Sequence, residues 1–279
     1  YLTIDETIQS ICEKYMQKGV EDNNVLNKGV CIAMDVNTGA ILAMVTTDGY
    51  DLNNPYELSA KDKKKIKSTA KSKQAEAESA ALSNMWRNKA VADTYMPGSV
   101  FKMCIASAAL EENLVNDKTS FTCTGSIEVE GETIHCSNIS GHGTQNFVEA
   151  ISNSCNPAFI QIGQMLGAGK FRQYYQGFGF SDKTGIDLPG EAEDSFWKEG
   201  KMGGVDLAVA SFGQNFTITP IQMITACAAV SNGGYVVQPH VVSKITDSKG
   251  NVIKTVDKKV KRQVISDDTS KKMNEYLEY

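Results

Sequence analysis

Apolar residues recur at helical spacing near the start of the chain, at Ile8, Ile11, Cys12, Tyr15 and Met16. This spacing predicts an amphipathic helix ending near Gly19. The next apolar stretch has a different rhythm. In GVCIAMDVNTGAILAMVTT, residues 29–47, two nearly continuous apolar runs flank Asn37-Thr38-Gly39. That is a hairpin signature, and the lack of alternation predicts strands buried on both faces, with a helix before and a helix after as cover. Residues 48–93 are polar and weakly periodic: DGYDLNNP reads as loop, and QAEAESAALSNMWRNKAV has helical propensity. An apolar helix is predicted from about residue 99 to 113, directly after the break at Pro97-Gly98. FTCTGSIEVEGETIHC alternates around Gly131 and predicts a small β section. NFVEAISNSCNPAFIQIGQMLG predicts a helix, a break at residues 153–156 and a second helix. A further helix is closely punctuated: Thr219 caps it, Pro220 takes its first turn, Gln222 closes a capping box and Gly233 stops it. HVVSKITDSKGNVIKTV predicts a second hairpin around Lys249-Gly250. With no internal repeat and no obvious linker, residues 1–279 read as one domain.

Composition narrows the class. Hydrophobic content of 41% and charged content of 22% describe an ordinary globular chain, large enough to fold without disulfide staples. The net charge of -5 argues against nucleic acid as a partner. The basic run KDKKKIKSTAKSK, residues 61–73, reads as a solvated, mobile surface segment rather than a contact for an anionic polymer or a membrane. No stretch is long and apolar enough to span a bilayer, and the opening YLTIDETIQ reads as a chain already in progress. The seven cysteines show none of the close Cys and His spacings that bind zinc, so no metal site is expected.

The chemistry concentrates where a Pro-Gly pair opens an apolar helix with a hydroxyl and an amine, Ser99 and Lys102. Residues three apart on a helix share a face. A serine is a poor nucleophile until a base takes its proton. Lysine can do so only as the free amine, and a fall of about 3 pKa units disfavours its charged form by about 4 kcal/mol. Burial among apolar side chains acts in that direction. Downstream, Ser154-Cys155-Asn156 sits in the break between two helices, a place where a hydroxyl and an amide can face a cleft.

Ser-x-x-Lys followed by Ser-x-Asn resembles the transpeptidase domain of penicillin-binding proteins. YLTIDETIQ, DVNTGAILAMV, PGSVFK, SNSCNPAF, GFGFSDKTGIDLPGE and FGQNFTITPIQM look like successive landmarks of the class B, monofunctional members, possibly of the sporulation type. The resemblance implies an α/β (α+β) fold shared with serine β-lactamases, an antiparallel sheet covered by helices. It implies a serine-type D,D-transpeptidase that cross-links peptidoglycan stem peptides ending in D-alanyl-D-alanine, through an acyl-enzyme, and that β-lactam antibiotics inhibit. Ser99 becomes the nucleophile, Lys102 its base, Ser154 the proton relay to the leaving amine, and Asn156 the group that holds Lys102 and binds the substrate amide. No metal or organic cofactor is needed. The expected place is the extracytoplasmic face of the cell membrane, held by an N-terminal anchor outside this chain, among membrane-bound cell-wall synthesis proteins. The alternatives are a D,D-carboxypeptidase, a serine β-lactamase, or a β-lactam-sensing or inactive penicillin-binding module.

The family's third motif is Lys-[Ser/Thr]-Gly on a strand edge. Lys183-Thr184-Gly185 matches the letters, but its surroundings, crowded with Gly, Asp and Pro, are turn chemistry, so Lys183 is expected outside the cleft. The family's true third motif lies beyond the position matching DDTSKKMNEYLEY, so the chain is expected to lack its C-terminal strands and to be inactive as it stands. Resemblance to sporulation-type members also implies a disulfide between Cys136 and Cys155 as a redox gate; a bond between Cys123 and Cys136 is the competing pair.

Overall fold

In a computed structural model the protein is described over residues 1–25, 29–47, 49–192 and 196–278; of the predicted loop at 48–55, Asp48 therefore lies outside the described residues. Helix α1 runs Glu6–Asp22, capped by the Asp5 carboxylate. It continues a turn past Gly19 and buries no residue fully, with Ile11 and Tyr15 exposed. Strands β1 (Val30–Met34) and β2 (Ile41–Thr46) form the predicted antiparallel hairpin. Burial on both faces does not follow: β2 alternates buried and half-buried positions, and β1 is half-buried throughout. α1 packs against this hairpin along an open flank, so it covers the apolar runs only in part.

The basic segment is helical: α2 spans Ala60–Ser68, capped by Ser59, with no buried residue. It is solvated as expected but regular, because Asp62 at its first turn and lysines at its last suit the helix dipole. Helices α3 (Gln74–Trp86) and α4 (Lys89–Ala92) follow. A 3₁₀ turn at Gly98–Phe101 then feeds α5 (Lys102–Glu111). Beyond it come β3 (Ser120–Cys123), the β4 (Ser126–Val129) to β5 (Glu132–His135) hairpin, and β6 (Gly143–Asn146), which pairs back onto β3. α6 (Phe147–Ser152) and α7 (Asn156–Gly177) flank the predicted break. α8 (Gly204–Ala210) precedes α9 (Pro220–Ser231), which carries the Thr219–Gln222 capping box. β7 (Tyr235–Val237) leads to the second hairpin, β8 (Lys244–Thr246) and β9 (Val252–Thr255). β10 (Val260–Gln263) pairs with β7, and α10 (Asp267–Leu277) closes the described chain.

The ladders are antiparallel, as expected, and among the described residues each is two-stranded. Helices dominate the centre. α5 is the axis: from Cys104 to Leu110 every residue is buried, packed against α7, α9 and α10. One apolar core runs through α5, α7, α9 and β3. Phe101, the last residue of the 3₁₀ turn, is 1% exposed and plugs into Phe171, Phe180, Tyr175 and Phe216. That aromatic plug fixes the turn on which Ser99 stands.

Candidate active site

Ser99 lies on the 3₁₀ turn, one residue pair ahead of α5, rather than on the first turn of an α-helix. The difference tightens the pairing, since side chains at i and i+3 eclipse in a 3₁₀ turn. Ser99 is exposed, while Lys102, three residues on, is 4% exposed. A second strand of chain holds the turn from behind. The Gly98 N–H donates to the Gly213 carbonyl at 2.9 Å, and Tyr95 and Ile218 bridge just upstream. Gly213 has φ +82°, and a Cβ there would fall 2.1 Å from the Gly98 oxygen. This close approach admits only glycine. Through Gly213, the landmark segment FGQNF seats the turn that carries Ser99, a task that depends on chain far away in sequence.

The break between α6 and α7 delivers the other two residues. Asn146 and Glu149 form a capping box at the start of α6, and Cys155 sits at the N-cap of α7. Between the helices Ser154 takes φ +48°, a left-handed conformation that non-glycine residues adopt rarely. That conformation turns both its carbonyl and its hydroxyl towards Lys102. The Lys102 Nζ donates to the Ser154 carbonyl at 2.6 Å, to Ser154 Oγ at 3.1 Å and to Asn156 Oδ1 at 2.7 Å. Asn156 is fixed in turn, its Nδ2 donating to the His135 carbonyl at 3.2 Å. The Phe159 ring lies 5.4 Å from Nζ. All four sequence-predicted residues are thus on adjoining elements, and three of them are joined by hydrogen bonds.

Burial strips water from Lys102 and lowers its pKa from 10.5 to about 8; the nearby Cys155 and Cys136 oppose the shift without cancelling it. Near neutrality a meaningful fraction of the amine is therefore free to accept a proton. Ser99 at the first turn also contributes a backbone N–H of the kind that has no partner inside the helix, a donor for developing negative charge. A serine three residues from a depressed-pKa amine, with a second hydroxyl and an amide on that amine, suits nucleophilic acyl transfer.

Lys183-Thr184-Gly185 lies elsewhere, in the loop between α7 and α8. Thr184 donates through N and Oγ1 to Glu191 Oε1, each at 2.6 Å, and the Gly185 N–H donates to Glu191 Oε2 at 3.1 Å. Gln238 Nε2 donates to the Gly185 carbonyl at 2.5 Å. The segment belongs to no strand, in keeping with its turn chemistry.

A cluster that residue spacing did not reveal adjoins the Ser154 break. The sulfurs of Cys123, Cys136 and Cys155 and a ring nitrogen of His142 all lie within 4.8 Å of one another. The cysteines carry free thiols. The Cys136 and Cys155 sulfurs, the pair of the implied disulfide, share this limit with the Cys123 sulfur and the His142 ring. The residues present suit a soft divalent metal.

A family model of the penicillin binding protein transpeptidase domain matches residues 29–279. Stage V sporulation protein D of Bacillus subtilis is 35% identical over 99% of this chain and 40% of its own length. The peptidoglycan D,D-transpeptidase PbpA of Mycobacterium tuberculosis is 27% identical over 99% of this chain and 54% of its own. The chain thus spans about half the length of these curated relatives, or less. Among solved structures, PBPA from Mycobacterium tuberculosis superposes with a TM-score of 0.81 at 26% identity, covering 99% of this chain and 62% of that one. Penicillin binding protein 3 from Mycobacterium tuberculosis, complexed with aztreonam, shares the fold at a TM-score of 0.81 and 23% identity, covering 99% of this chain and 56% of that one.

Proposed function

The chain belongs to the penicillin binding protein transpeptidase domain family, and from that premise we propose that it is the acyl-transfer domain of a class B peptidoglycan D,D-transpeptidase. The observation that carries the reading is Lys102: buried, with a pKa lowered to about 8, and hydrogen-bonded to both Ser154 and Asn156. Lys102 takes the Ser99 proton as Ser99 Oγ attacks the penultimate D-alanine carbonyl of a donor stem peptide. The Ser99 N–H stabilises the oxyanion. Ser154, bonded to Lys102, passes the proton to the leaving amine; the peptide bond breaks and D-alanine departs. The acyl group stays on Ser99 as an ester. An amine from a neighbouring stem peptide then attacks the ester, its proton returns through the same groups to Ser99, and a cross-link replaces the lost bond. Asn156 accepts from Lys102 and offers its amide to the substrate backbone.

A β-lactam presents its strained amide to the same serine and acylates it. The aztreonam complex of a relative of the same fold supports this part of the reading. The place of action is the outer face of the cell membrane, among membrane-bound cell-wall synthesis proteins. No helix among the described residues is long and apolar enough to cross a membrane. The test is fluorescent penicillin on the full-length protein. Stable labelling that Ser99→Ala removes supports a transpeptidase. Label that clears within minutes indicates a β-lactamase, and a protein that never takes label is a binding module.

A further inference from the structure

We propose that Cys12 and Cys31 close a disulfide that staples α1 to the β1–β2 hairpin. The capacity to form the bond stands apart from the transpeptidase reading; its formation in the cell rests on that reading, which places the domain outside the reducing cytosol.

The register of α1 on the hairpin brings the two thiols together. Ile8, Cys12, Met16 and Val20 recur every four residues and form a half-buried inner stripe on α1. Met16 Sδ and Val20 Cγ2 fill the space that a Cβ on Gly29 would take, at 2.5 and 2.9 Å from it. The stripe therefore rests on the entrance to β1. Alternate residues of a strand face opposite ways. Val30, Ile32 and Met34 turn into the apolar cluster of Ile41, Val91 and Ile221, whereas Cys31 has the parity of Gly29 and turns to α1. From Gly29 to Cys31 is a step of about 6.6 Å along the strand. From Met16 back to Cys12 is a step of about 6 Å along the helix. Helix and strand run in opposite directions, so the two steps end at the same place. Gln9 fixes the alignment independently. Its side chain bonds both the N–H and the carbonyl of Met44, the residue opposite Ile32. Both thiols are free and half-buried, and burial together with a hydrogen bond to Cys12 pushes the Cys31 thiol up.

The helix gains from such a tie because it is held at one end only. α1 buries no residue fully. Its first half is hydrogen-bonded to β2: the Asp5 N–H donates to the Leu42 carbonyl at 2.9 Å, and Gln9 grips Met44. Beyond Cys12, the side-chain bonds of Gln17 and Lys18 stay within the helix. There an open groove of about 600 Å³, lined by Glu13, Gln17, Thr46 and Tyr50 among others, lies between α1 and β2. A bond from Cys12 to Cys31 would anchor the helix at the point where its hydrogen bonds to the hairpin end. It would also close the intervening chain into a loop and so restrict the unfolded state.

The oxidant is a disulfide of the glutathione kind, small or protein-borne. One thiolate of the pair attacks it, forming a mixed disulfide and releasing one thiolate. The other thiol of the pair then displaces the second half. Two electrons pass to the oxidant, and the two thiol protons leave on the thiols it releases.

The test uses the full-length protein, reduced and then exposed to excess oxidised glutathione. Trypsin cuts after Lys14 and Lys28, so the bond should appear as a peptide ending at Lys14 joined to Gly29–Lys61. Mass spectrometry should find this pair in most chains, and mild reduction should separate it. Cys12→Ser and Cys31→Ser should each abolish it. After the same oxidation the unaltered protein should melt about 5–10 °C above the Cys12→Ser variant. Comparing two oxidised proteins cancels the effect of any other disulfide they share. In the reduced state the two should melt within about 2 °C of each other. Their penicillin labelling rates should agree within about twofold, because the staple touches no catalytic group. Glutathione adducts at Cys12 or Cys31 without the joined peptides would overturn the proposal. So would joined peptides with no rise in melting temperature. A stapled protein that never takes penicillin would leave the disulfide standing and sink the transpeptidase reading; a labelled protein without joined peptides would do the reverse.

Discussion

Lys102 and Lys183 sit in two short motifs of the same family vocabulary, and the fold treats them in opposite ways. Lys102 is 4% exposed, with its amine bonded to Ser154 and Asn156. Lys183 is exposed on a loop, where the neighbouring Thr184 and Gly185 are tied to Glu191 and Gln238. That loop has a mechanical task. Asp187 accepts from the backbone N–H groups of Val241 and Val242, and Gln222 Nε2 donates to the Asp182 carbonyl. It thereby staples α9 and the segment after β7 together. One lysine is buried in a hydrogen-bonded cluster, and the other stands on a structural clasp. What separates them is desolvation: Lys102 is buried and Lys183 is exposed.

Five experiments on the full-length protein would break or sharpen this contrast. The largest effect belongs to Ser99→Ala, which should reduce penicillin labelling by at least about 10³-fold, since the nucleophile itself is gone; surviving label would move the reaction to another residue. Next, Lys102→Arg keeps a positive charge that cannot be released, and acylation measured by stopped-flow should slow by about 10³-fold while the protein still folds. Third, the acylation rate of the unaltered protein should rise with pH and level off above about 8, the pKa to which burial lowers Lys102. Below that point the free amine, and so the rate, should fall about tenfold per pH unit. A flat profile between pH 6 and 9 would exclude Lys102 as the base. Stability carries the same sign: the unfolded lysine takes its proton first, so this group's contribution grows as pH rises from about 8 towards 10.4.

On the other side of the comparison, Glu191→Ala removes the acceptor of Thr184 and Gly185. It should lower stability by about 1–3 kcal/mol in denaturant titration, with little change in the labelling rate of the folded protein. Smallest of all, Lys183→Ala should leave labelling within about twofold of the parent, as for an exposed side chain away from the chemistry. A large loss of labelling there, without loss of stability, would erase the distinction.

Much of this was legible along the chain because it depends on neighbours in sequence. Hydrophobic periodicity and turn residues located α1, both hairpins, the α6–α7 break and the Thr219–Gln222 cap. Ser99, Lys102, Ser154 and Asn156 were legible for the same reason: each pair sits within one local motif. Helix α10 and the pairing of β7 with β10 carried too little local contrast to be read, since their burial comes from distant partners. The basic run at residues 61–73 is solvated as its charge predicts, but its helical order was not legible, because charge repulsion looks the same in a solvated helix and a coil.

By itself, then, the order of residues determined which groups are chemically capable and which short elements carry them. Periodicity, capping and chain breaks are local properties, and they act over a few residues. Only the tertiary structure decided which capable groups meet. The burial that lowers Lys102, the left-handed Ser154 that turns to face it, and the Gly213 backbone against Gly98 arise where segments far apart in sequence close on one another. The cluster of Cys123, Cys136, His142 and Cys155 is the extreme case. Its members show no diagnostic spacing, because two antiparallel pairings and a helix cap, rather than one loop, bring them together.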